Sequence, residues 1–130
     1  WWKNVLHFTE EQVWALLEKY KVTPPVPYRL GWGRSSCMTC IFNSPKIWST
    51  ISTYYPERAQ LIAGYEQKFD CTISRSKIDV VSLSNRIEPF DIQDMEALVQ
   101  SKIESYYLPV FTDNWTVPPG AFNKEGCGSL

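Results

Sequence analysis

Residues 44–56, Ser-Pro-Lys-Ile-Trp-Ser-Thr-Ile-Ser-Thr-Tyr-Tyr-Pro, carry helix signals at both ends. Ser44 is a residue type that caps helix N-termini, and Pro45 suits the first helical position, where an N–H has no intrahelical partner. Pro56 ends the pattern. Between these limits apolar side chains recur at helical spacing, at Ile47, Trp48, Ile51, Tyr54 and Tyr55. The stretch therefore predicts a helix with one buried face.

Helical patterns continue on both sides of this stretch. Thr9 is a natural N-cap with Gln12 three residues later, as in a capping box, and an apolar stripe follows at Val13, Leu16, Leu17 and Tyr20. Residues 57–69 predict a third helix, with an inward face formed by Leu61, Ile62, Tyr65 and Phe69. We interpret residues 79–85 as a weaker helical segment.

Asp91 is expected to cap a last helix, whose spaced side chains are Ile92, Met95, Leu98, Val99, Lys102 and Ile103. Prolines interrupt the chain elsewhere: residues 23–27 predict an extended loop, and residues 106–130 show no periodicity. The predicted fold class is mainly α, with several short helices, a cysteine-containing loop and an extended tail. The predicted division is a helical region at 1–105 and an aromatic, proline-rich tail at 106–130.

The composition of the 130 residues excludes several classes of protein. Thirteen Lys and Arg against fourteen Asp and Glu give a net charge of −1, which argues against strong direct binding to nucleic acid. No apolar run approaches the roughly 18 residues of a membrane span, and no export signal is visible, so we expect a cytoplasmic protein without a membrane partner. Because the sequence begins with Trp1 rather than Met, it predicts the C-terminal part of a longer chain.

Cys37-Met38-Thr39-Cys40 is the strongest chemical signal in the sequence. Two thiols at this spacing can bind one metal ion or cluster iron, or form a redox disulfide. A second such pair, which would indicate a zinc ribbon, is absent, and Cys71 and Cys127 stand far away. Packing of reduced cysteines as small hydrophobic residues is the competing interpretation.

Three other features have weaker chemical meaning. His7 is the only histidine, and a structural role is the better interpretation because no catalytic partner stands at a meaningful spacing. Gly31 and Gly33 do not form a phosphate loop. Arg34, beside the cysteine pair, is a candidate anion-binding residue, with a surface role as the alternative.

Three segments resemble the phosphoadenosine phosphosulfate (PAPS) reductase family. Residues 5–14, Val-Leu-His-Phe-Thr-Glu-Glu-Gln-Val-Trp, resemble a family segment in which an apolar pair and Asp-Trp-Thr-Glu lead into a helix with an apolar-Trp pair. Residues 25–31, Pro-Val-Pro-Tyr-Arg-Leu-Gly, are similar to the loop that follows it. Residues 34–40, Arg-Ser-Ser-Cys-Met-Thr-Cys, are similar to the stretch that ends in a Cys-x-x-Cys in cluster-bearing members. The resemblance covers residues 1–45 and is thin beyond Pro56.

The resemblance implies a parent protein with the α/β adenine-nucleotide α-hydrolase fold and a Ser-Gly-Gly-x-Asp-Ser phosphate loop, a loop that these residues do not contain. It implies a four-iron cluster held through Cys37 and Cys40, with an adjacent Cys-Cys pair elsewhere in the parent. Zinc bound through Cys37 and Cys40 is the alternative that their spacing allows. The resemblance also implies a catalytic thiol in a C-terminal Glu-Cys-Gly-apolar-His motif. The tail here reads Glu125-Gly126-Cys127-Gly128-Ser129-Leu130, with an added Gly before the cysteine and no His after it.

The function expected from the resemblance is thiol-dependent reduction of an adenine sulfonucleotide to sulfite, with a thioredoxin-like reductant. Cys127 is the expected nucleophile, and Arg34 and Lys46 are expected to bind the anionic substrate. These residues alone are expected to be inactive, because the phosphate loop lies outside them. Two alternatives stay open: a non-catalytic module that binds a metal or an iron–sulfur cluster, and an accessory to nucleic-acid sulfur modification.

Overall fold

Helices dominate the computed structural model, which describes residues 4–123. They are α1 (Glu10–Lys19), α2 (Val26–Arg29), α3 (Pro45–Tyr54), α4 (Pro56–Phe69), α5 (Val80–Ser84) and α6 (Met95–Gln100). Strand pairing within the described part is limited to an isolated antiparallel bridge between Val22 and Phe111. The mainly α fold class is therefore confirmed. None of the helices in this part is long and apolar enough to cross a membrane.

Helix α3 forms the centre of the core, as its apolar spacing predicts. The side chains of Ile47, Trp48 and Ile51 are completely buried, and α4 and α5 pack against the same helix. Burying an apolar side chain of this size contributes about 1.5–3 kcal/mol, so these three residues supply a large share of the stability of a small domain. The core continues into the loops at Leu30, Trp32 and Ile92, into α5 at Val80 and Leu83, and into α6 at Leu98.

Both ends of α3 agree with the sequence prediction. The Ser44 hydroxyl accepts a hydrogen bond from the Ile47 N–H at 3.3 Å, which is the expected cap. At the other end Tyr55 leaves the helical conformation, and Pro56 becomes the first residue of α4 rather than only the end of α3. A single residue therefore separates the two helices, because Pro is well suited to a first helical position.

Glu66 on α4 is a buried carboxylate that organises the segment leading to α5. Its two oxygens accept backbone N–H bonds from Ile73 and Val80, each at 2.9 Å. The Asp79 side chain caps α5 by accepting from the Ser82 N–H at 2.8 Å. Residues 80–84 are therefore helical, which confirms the weaker helical segment expected at 79–85.

The inward faces predicted for α1 and α4 are wrong in part. Trp14 is the buried residue of α1, whereas Val13, Leu16 and Tyr20 are 38–58% exposed. On α4 the half-buried Ala59, Ile62 and Ala63 face the core, and Leu61, Tyr65 and Phe69 lie on the solvent side. The apolar spacing identified both helices, but spacing alone does not determine which face a neighbouring element covers.

Two further local expectations need correction. The last helix is capped by Asp94, whose carboxylate accepts the Ala97 N–H at 2.9 Å, and not by Asp91. The proline-rich stretch contains a single helical turn, α2, because Pro25 precedes it and Pro27 occupies an early position that needs no N–H partner. Both corrections concern short helices, whose ends are set by tertiary contacts as much as by propensity.

The tail packs against the N-terminal half of the chain instead of extending away from it. Backbone bonds join Thr23 to Val110 and Thr112 to Lys21, each at 2.8 Å, and the Trp115 indole N–H donates to the Val22 carbonyl. Further on, the Gly120 N–H donates to the Tyr28 carbonyl at 2.8 Å. The described part of the tail thus covers α2 and the loops beside it.

The capping box of α1 is complete and is open to mutational test. The Thr9 hydroxyl accepts the Gln12 N–H at 3.3 Å, and the Gln12 side chain accepts the Thr9 N–H at 2.9 Å. We expect Thr9→Ala to lower the free energy of unfolding by about 1 kcal/mol. Urea unfolding followed by circular dichroism measures this, and an unchanged midpoint would show that the cap contributes nothing.

Gly120 is required for the tail to approach α2 closely. A Cβ placed there would lie 2.2 Å from the Trp32 carbonyl oxygen and 2.7 Å from the Tyr28 carbonyl oxygen. We expect Gly120→Ala to destabilise the protein by about 1–3 kcal/mol, since backbone must shift to admit the methyl group. The control is Gly64→Ala on α4, where a Cβ meets nothing within 4 Å and helix propensity predicts a gain of up to about 1 kcal/mol. Equal effects of the two substitutions on the melting temperature would contradict this packing.

Candidate functional site

The cysteine loop, residues 31–40, connects α2 to the segment that begins α3. Trp32 is buried in the core and Met38 packs against it from one side. The buried Asn43 amide donates to the Met38 carbonyl at 2.6 Å, and the Asn43 N–H donates to the Cys40 carbonyl at 3.0 Å. The turn that carries both cysteines is therefore attached to the start of the central helix.

Gly31 and Phe90 form the other attachment of this loop. Gly31 has a φ of +99°, a conformation that favours glycine, and the Phe90 ring lies 3.2–3.5 Å from where its Cβ would be. The Phe90 ring also contacts Trp32, with ring centroids 5.7 Å apart. The backbone N–H of Phe90 donates to the Thr50 hydroxyl of α3 at 2.9 Å. Sequence reasoning missed Phe90, because nothing local relates it to a loop nearly sixty positions earlier.

The two cysteines of the loop have different environments and different states. Cys37 is an exposed free thiol. Cys40 is only 8% exposed and is disulfide-bonded. The two residues come within 4.0 Å of each other. The Cys-x-x-Cys spacing thus places an accessible thiol beside a buried sulfur, an arrangement that allows thiol–disulfide exchange.

The described residues by themselves do not fit the implied zinc ion or iron cluster. A structural zinc site needs four ligands, and even a catalytic site takes three from the protein. Within residues 4–123 no three His, Cys, Asp or Glu side chains converge to hold a metal ion. Cys37 and Cys40 supply two ligands at most, and a disulfide-bonded Cys40 is not a thiolate. Cys71 is an exposed free cysteine that joins no such group.

The tail reaches the cysteine loop through its last described residue. The Asn123 side-chain amide donates to the Gly31 carbonyl at 2.8 Å, and the Phe122 N–H donates to the Glu10 carboxylate at 3.1 Å. Cys127, the expected nucleophile, lies outside the described residues. The contacts of Gly120 and Asn123 nevertheless show that the tail is bound to the loop as far as it is described.

The two expected substrate-binding cations lie in different settings. Arg34 is exposed on the cysteine loop. Lys46, in the first turn of α3, is half-buried with its ammonium 5.0 Å from the centroid of the Phe90 ring, which is a cation–π contact. Both residues therefore belong to the region of the cysteine loop. His7 is exposed in the turn before α1, and its ring makes no hydrogen bond within the described part of the chain.

A cavity of about 480 Å³ lies directly beside the cysteine turn. Met38 and Thr39, the two residues between the cysteines, form part of its wall. Arg58 and Lys102 bring positive charge to it, and Glu57 brings one negative charge. Tyr55 also lines it; burial raises the pKa of its phenol, although the hydroxyl shares a hydrogen bond of 2.6 Å with Ser101. Its volume is in the range of small-molecule sites.

A cleft of about 640 Å³ lies between α2, residues 90–96 and the tail. The Arg29 guanidinium lines it and donates to both oxygens of Asp94, at 2.7 and 3.0 Å, and to Glu96 at 2.8 Å. Asp91 adds a further carboxylate to the lining. Among the described residues that line this cleft, Arg29 is the one arginine, it is neutralised, and carboxylates outnumber it. This lining is unsuited to a multiply charged anion.

The ion pair of Arg29 and Asp94 shifts the pKa of both groups. Burial alone would raise the pKa of Asp94, but hydrogen bonds from the Arg29 guanidinium and the Ala97 N–H outweigh it, and the pKa is lowered. Burial alone would lower the pKa of Arg29, but its bonds to Asp94 and Glu96 raise it. The pair joins α2 to α6 across 65 residues of sequence.

This pair predicts a specific loss of stability in acid. Since the pKa of Asp94 is lower in the folded chain than in the unfolded one, its ionised form stabilises the fold above the unfolded pKa of about 4. That contribution disappears as the pH falls through the folded pKa. Urea unfolding between about pH 7 and pH 2 should therefore show a shallower acid decline for Asp94→Asn than for the unaltered chain. Identical slopes would contradict the stabilising role of the pair.

Comparisons with known proteins identified no relative of this chain. No family model, no curated protein and no solved structure matches the chain. The resemblance to PAPS reductases over residues 1–45 therefore stays an expectation, and any functional conclusion depends on the contacts described above.

Proposed function

We propose that this chain is the C-terminal portion of a sulfonucleotide-reductase-like enzyme and supplies the thiols that reduce an activated sulfate to sulfite. The observation that carries the proposal is the bound tail. An exposed free thiol, Cys37, stands on a loop to which the tail is fastened through Asn123, shortly before the tail cysteine.

Chain length supports a meeting of these two thiols. Cys127 follows Asn123 by four residues, and four residues of chain span at most about 14 Å. Asn123 is itself bonded to Gly31, the first residue of the cysteine loop. The length of chain between Asn123 and Cys127 therefore permits the tail cysteine to reach this loop.

The proposed chemistry begins with the fully reduced chain, in which the disulfide of Cys40 has been opened, and it uses the thiols of Cys127 and Cys37 in sequence. The Cys127 thiolate attacks the sulfur of the sulfonucleotide, the bond from sulfur to the phosphate oxygen breaks, and the nucleotide leaves. The Cys37 thiolate then attacks the Cys127 sulfur and forms a disulfide with it. The bond between the Cys127 sulfur and the sulfonate sulfur breaks, and sulfite leaves with the electron pair of that bond. Two thiols are oxidised to a disulfide while sulfate sulfur gains two electrons, and a thioredoxin-like dithiol restores both thiols.

The substrate is an anion, and the region of the cysteine loop offers cations for it. We assign Arg34 and Lys46 to its binding, as expected from the resemblance; they do not line the cavity of Met38 and Thr39, which offers a space of suitable size beside the cysteine turn. The adenine nucleotide would be held mainly by the parent protein's phosphate loop. The 130 residues alone are therefore expected to release no sulfite from a sulfonucleotide.

A non-catalytic metal-binding module is the second candidate, favoured by the 4.0 Å approach of Cys37 and Cys40. This candidate needs two further ligands beyond those two cysteines. Anaerobic preparation followed by iron, zinc and sulfide analysis distinguishes the two candidates. A stoichiometric metal that disappears in Cys37→Ser would favour the module over the thiol chemistry.

The thiol pair is testable without the nucleotide site. S-sulfocysteine reacts with a thiolate to give a mixed disulfide and sulfite, and a second protein thiol then releases cysteine. We expect the fully reduced chain to end with an internal disulfide between Cys37 and Cys127. In Cys37→Ser the mixed disulfide at Cys127 should persist, with release of cysteine slowed at least about tenfold. Sulfite release and peptide mass mapping measure the two steps.

The matched control is Cys71→Ser, which removes the other exposed free cysteine of the described residues. It should behave like the unaltered chain in both steps. The proposal fails if Cys37→Ser resolves the mixed disulfide at the normal rate, or if the mapped disulfide joins Cys127 to Cys40 or Cys71 instead.

A further inference from the structure

A separate cavity, here called the arginine pocket, begins immediately after Cys40. One wall is formed by Ile41, Phe42, Asn43 and Pro45, and the facing wall by residues 74–76. Leu83 and Arg86, in and just after α5, complete it. Its volume is about 390 Å³, which is small but within the range of pockets that hold small molecules.

The charge of the arginine pocket is entirely positive. Among its lining residues in the described part of the chain, Arg75 and Arg86 are the charged ones and none carries a carboxylate. Neither guanidinium forms an ion pair within residues 4–123, in contrast to Arg29, which binds two carboxylates. Two like charges facing one concave surface repel each other unless an anion lies between them. The pocket therefore favours an anionic occupant.

Local contacts hold the pocket in shape. The Arg75 guanidinium lies 5.6 Å from the centroid of the Phe42 ring, and the Arg75 N–H donates to the Ile41 carbonyl at 3.0 Å. The Ser74 and Ser76 hydroxyls are 2.8 Å apart and hydrogen-bonded, and Ser74 is buried, with an exposed fraction of 7%. The two walls are thus joined by the backbone and by a cation–π contact, so the arginine is positioned before any ligand arrives.

The chemistry of the lining identifies the class of ligand. Guanidinium groups donate in a planar fork that matches the oxygens of a phosphate group. The pocket also contains Pro45, the first residue of the ten-residue helix α3, whose positive end favours an anion. Ile41 and Phe42, which are 47% and 41% exposed, offer an apolar surface at the rim. These features suit a phosphate group attached to a small apolar body.

We propose that the arginine pocket binds a small-molecule phosphate monoester, with the phosphate between Arg75 and Arg86 and the organic part against Phe42 and Ile41. This site is distinct from the cavity beside Met38 and Thr39 and shares no lining residue with it. It requires neither the thiol chemistry nor the resemblance to sulfonucleotide reductases.

The test is a titration of the ¹⁵N-labelled chain, followed by NMR, with phenyl phosphate, inorganic phosphate, inorganic sulfate and phenol at constant ionic strength. Saturable shifts are expected at the Arg75 and Arg86 side-chain N–H groups and at the amides of residues 74–76. Phenyl phosphate should bind most tightly and phenol should not bind. Sulfate binding as tightly as phenyl phosphate would overturn the assignment to a phosphate monoester. Shifts confined to other residues, or no saturation, would overturn the proposal.

Substitutions distinguish binding in this pocket from nonspecific attraction of the anion to positive charge elsewhere on the surface. Arg75→Gln and Arg86→Gln should each raise the Kd for phenyl phosphate by about tenfold or more, because each removes a charge-assisted hydrogen-bond donor. Lys68→Gln is the control, an exposed cation of α4 that lines none of the three cavities, and it should leave the Kd unchanged. If Arg75→Gln loses the native spectrum, Arg86→Gln decides, since the Arg86 side chain makes no hydrogen bond or ion pair within residues 4–123. Equal effects of all three substitutions would overturn the proposal.

Discussion

Burial of one face of α3 is the interaction on which the rest of the described structure depends. Ile47, Trp48 and Ile51 are completely buried, and α4 and α5 pack on the same helix. Other segments are hydrogen-bonded to this helix as well. The Thr50 hydroxyl accepts a hydrogen bond from the Phe90 N–H, and the Trp48 carbonyl accepts one from the Ser84 hydroxyl. The cysteine loop and the arginine pocket both lie at the N-terminal end of this helix, so its position determines theirs.

Buried polar side chains accept hydrogen bonds from backbone N–H groups that strand pairing would satisfy in a β-sheet. With little strand pairing in the described residues, backbone N–H groups of the loops need other acceptors. Glu66 accepts from Ile73 and Val80, and the buried Gln100 accepts from the Tyr107 N–H while it donates to the Ser105 carbonyl. Each such contact joins a loop to a helix, which explains why polar residues are buried in a domain of this size.

The arrangement of charge separates the three cavities by chemistry. The cleft beside α2 contains an arginine already neutralised by Asp94 and Glu96. The cavity beside the cysteine turn is lined by both cations and a carboxylate. In the arginine pocket, the charged residues of the described lining are both cations. Volume alone would have selected the first cleft as the candidate site, whereas the balance of charges directs anionic ligands to the two cavities that adjoin the cysteine turn.

The sequence by itself determined where most helices lie, because caps and apolar spacing are local signals: Ser44 with Pro45, and Thr9 with Gln12, act within one helical turn. It also identified the Cys37-x-x-Cys40 pair. Only the tertiary structure decided which helix faces are buried, that Asp94 rather than Asp91 caps α6, that Phe90 covers Gly31, and that the tail binds the cysteine loop. Likewise Arg75 and Arg86 meet Phe42 in one pocket only because Glu66 and α5 fold residues 73–86 back onto the start of α3. These outcomes depend on contacts between residues far apart in the chain, which no local pattern encodes.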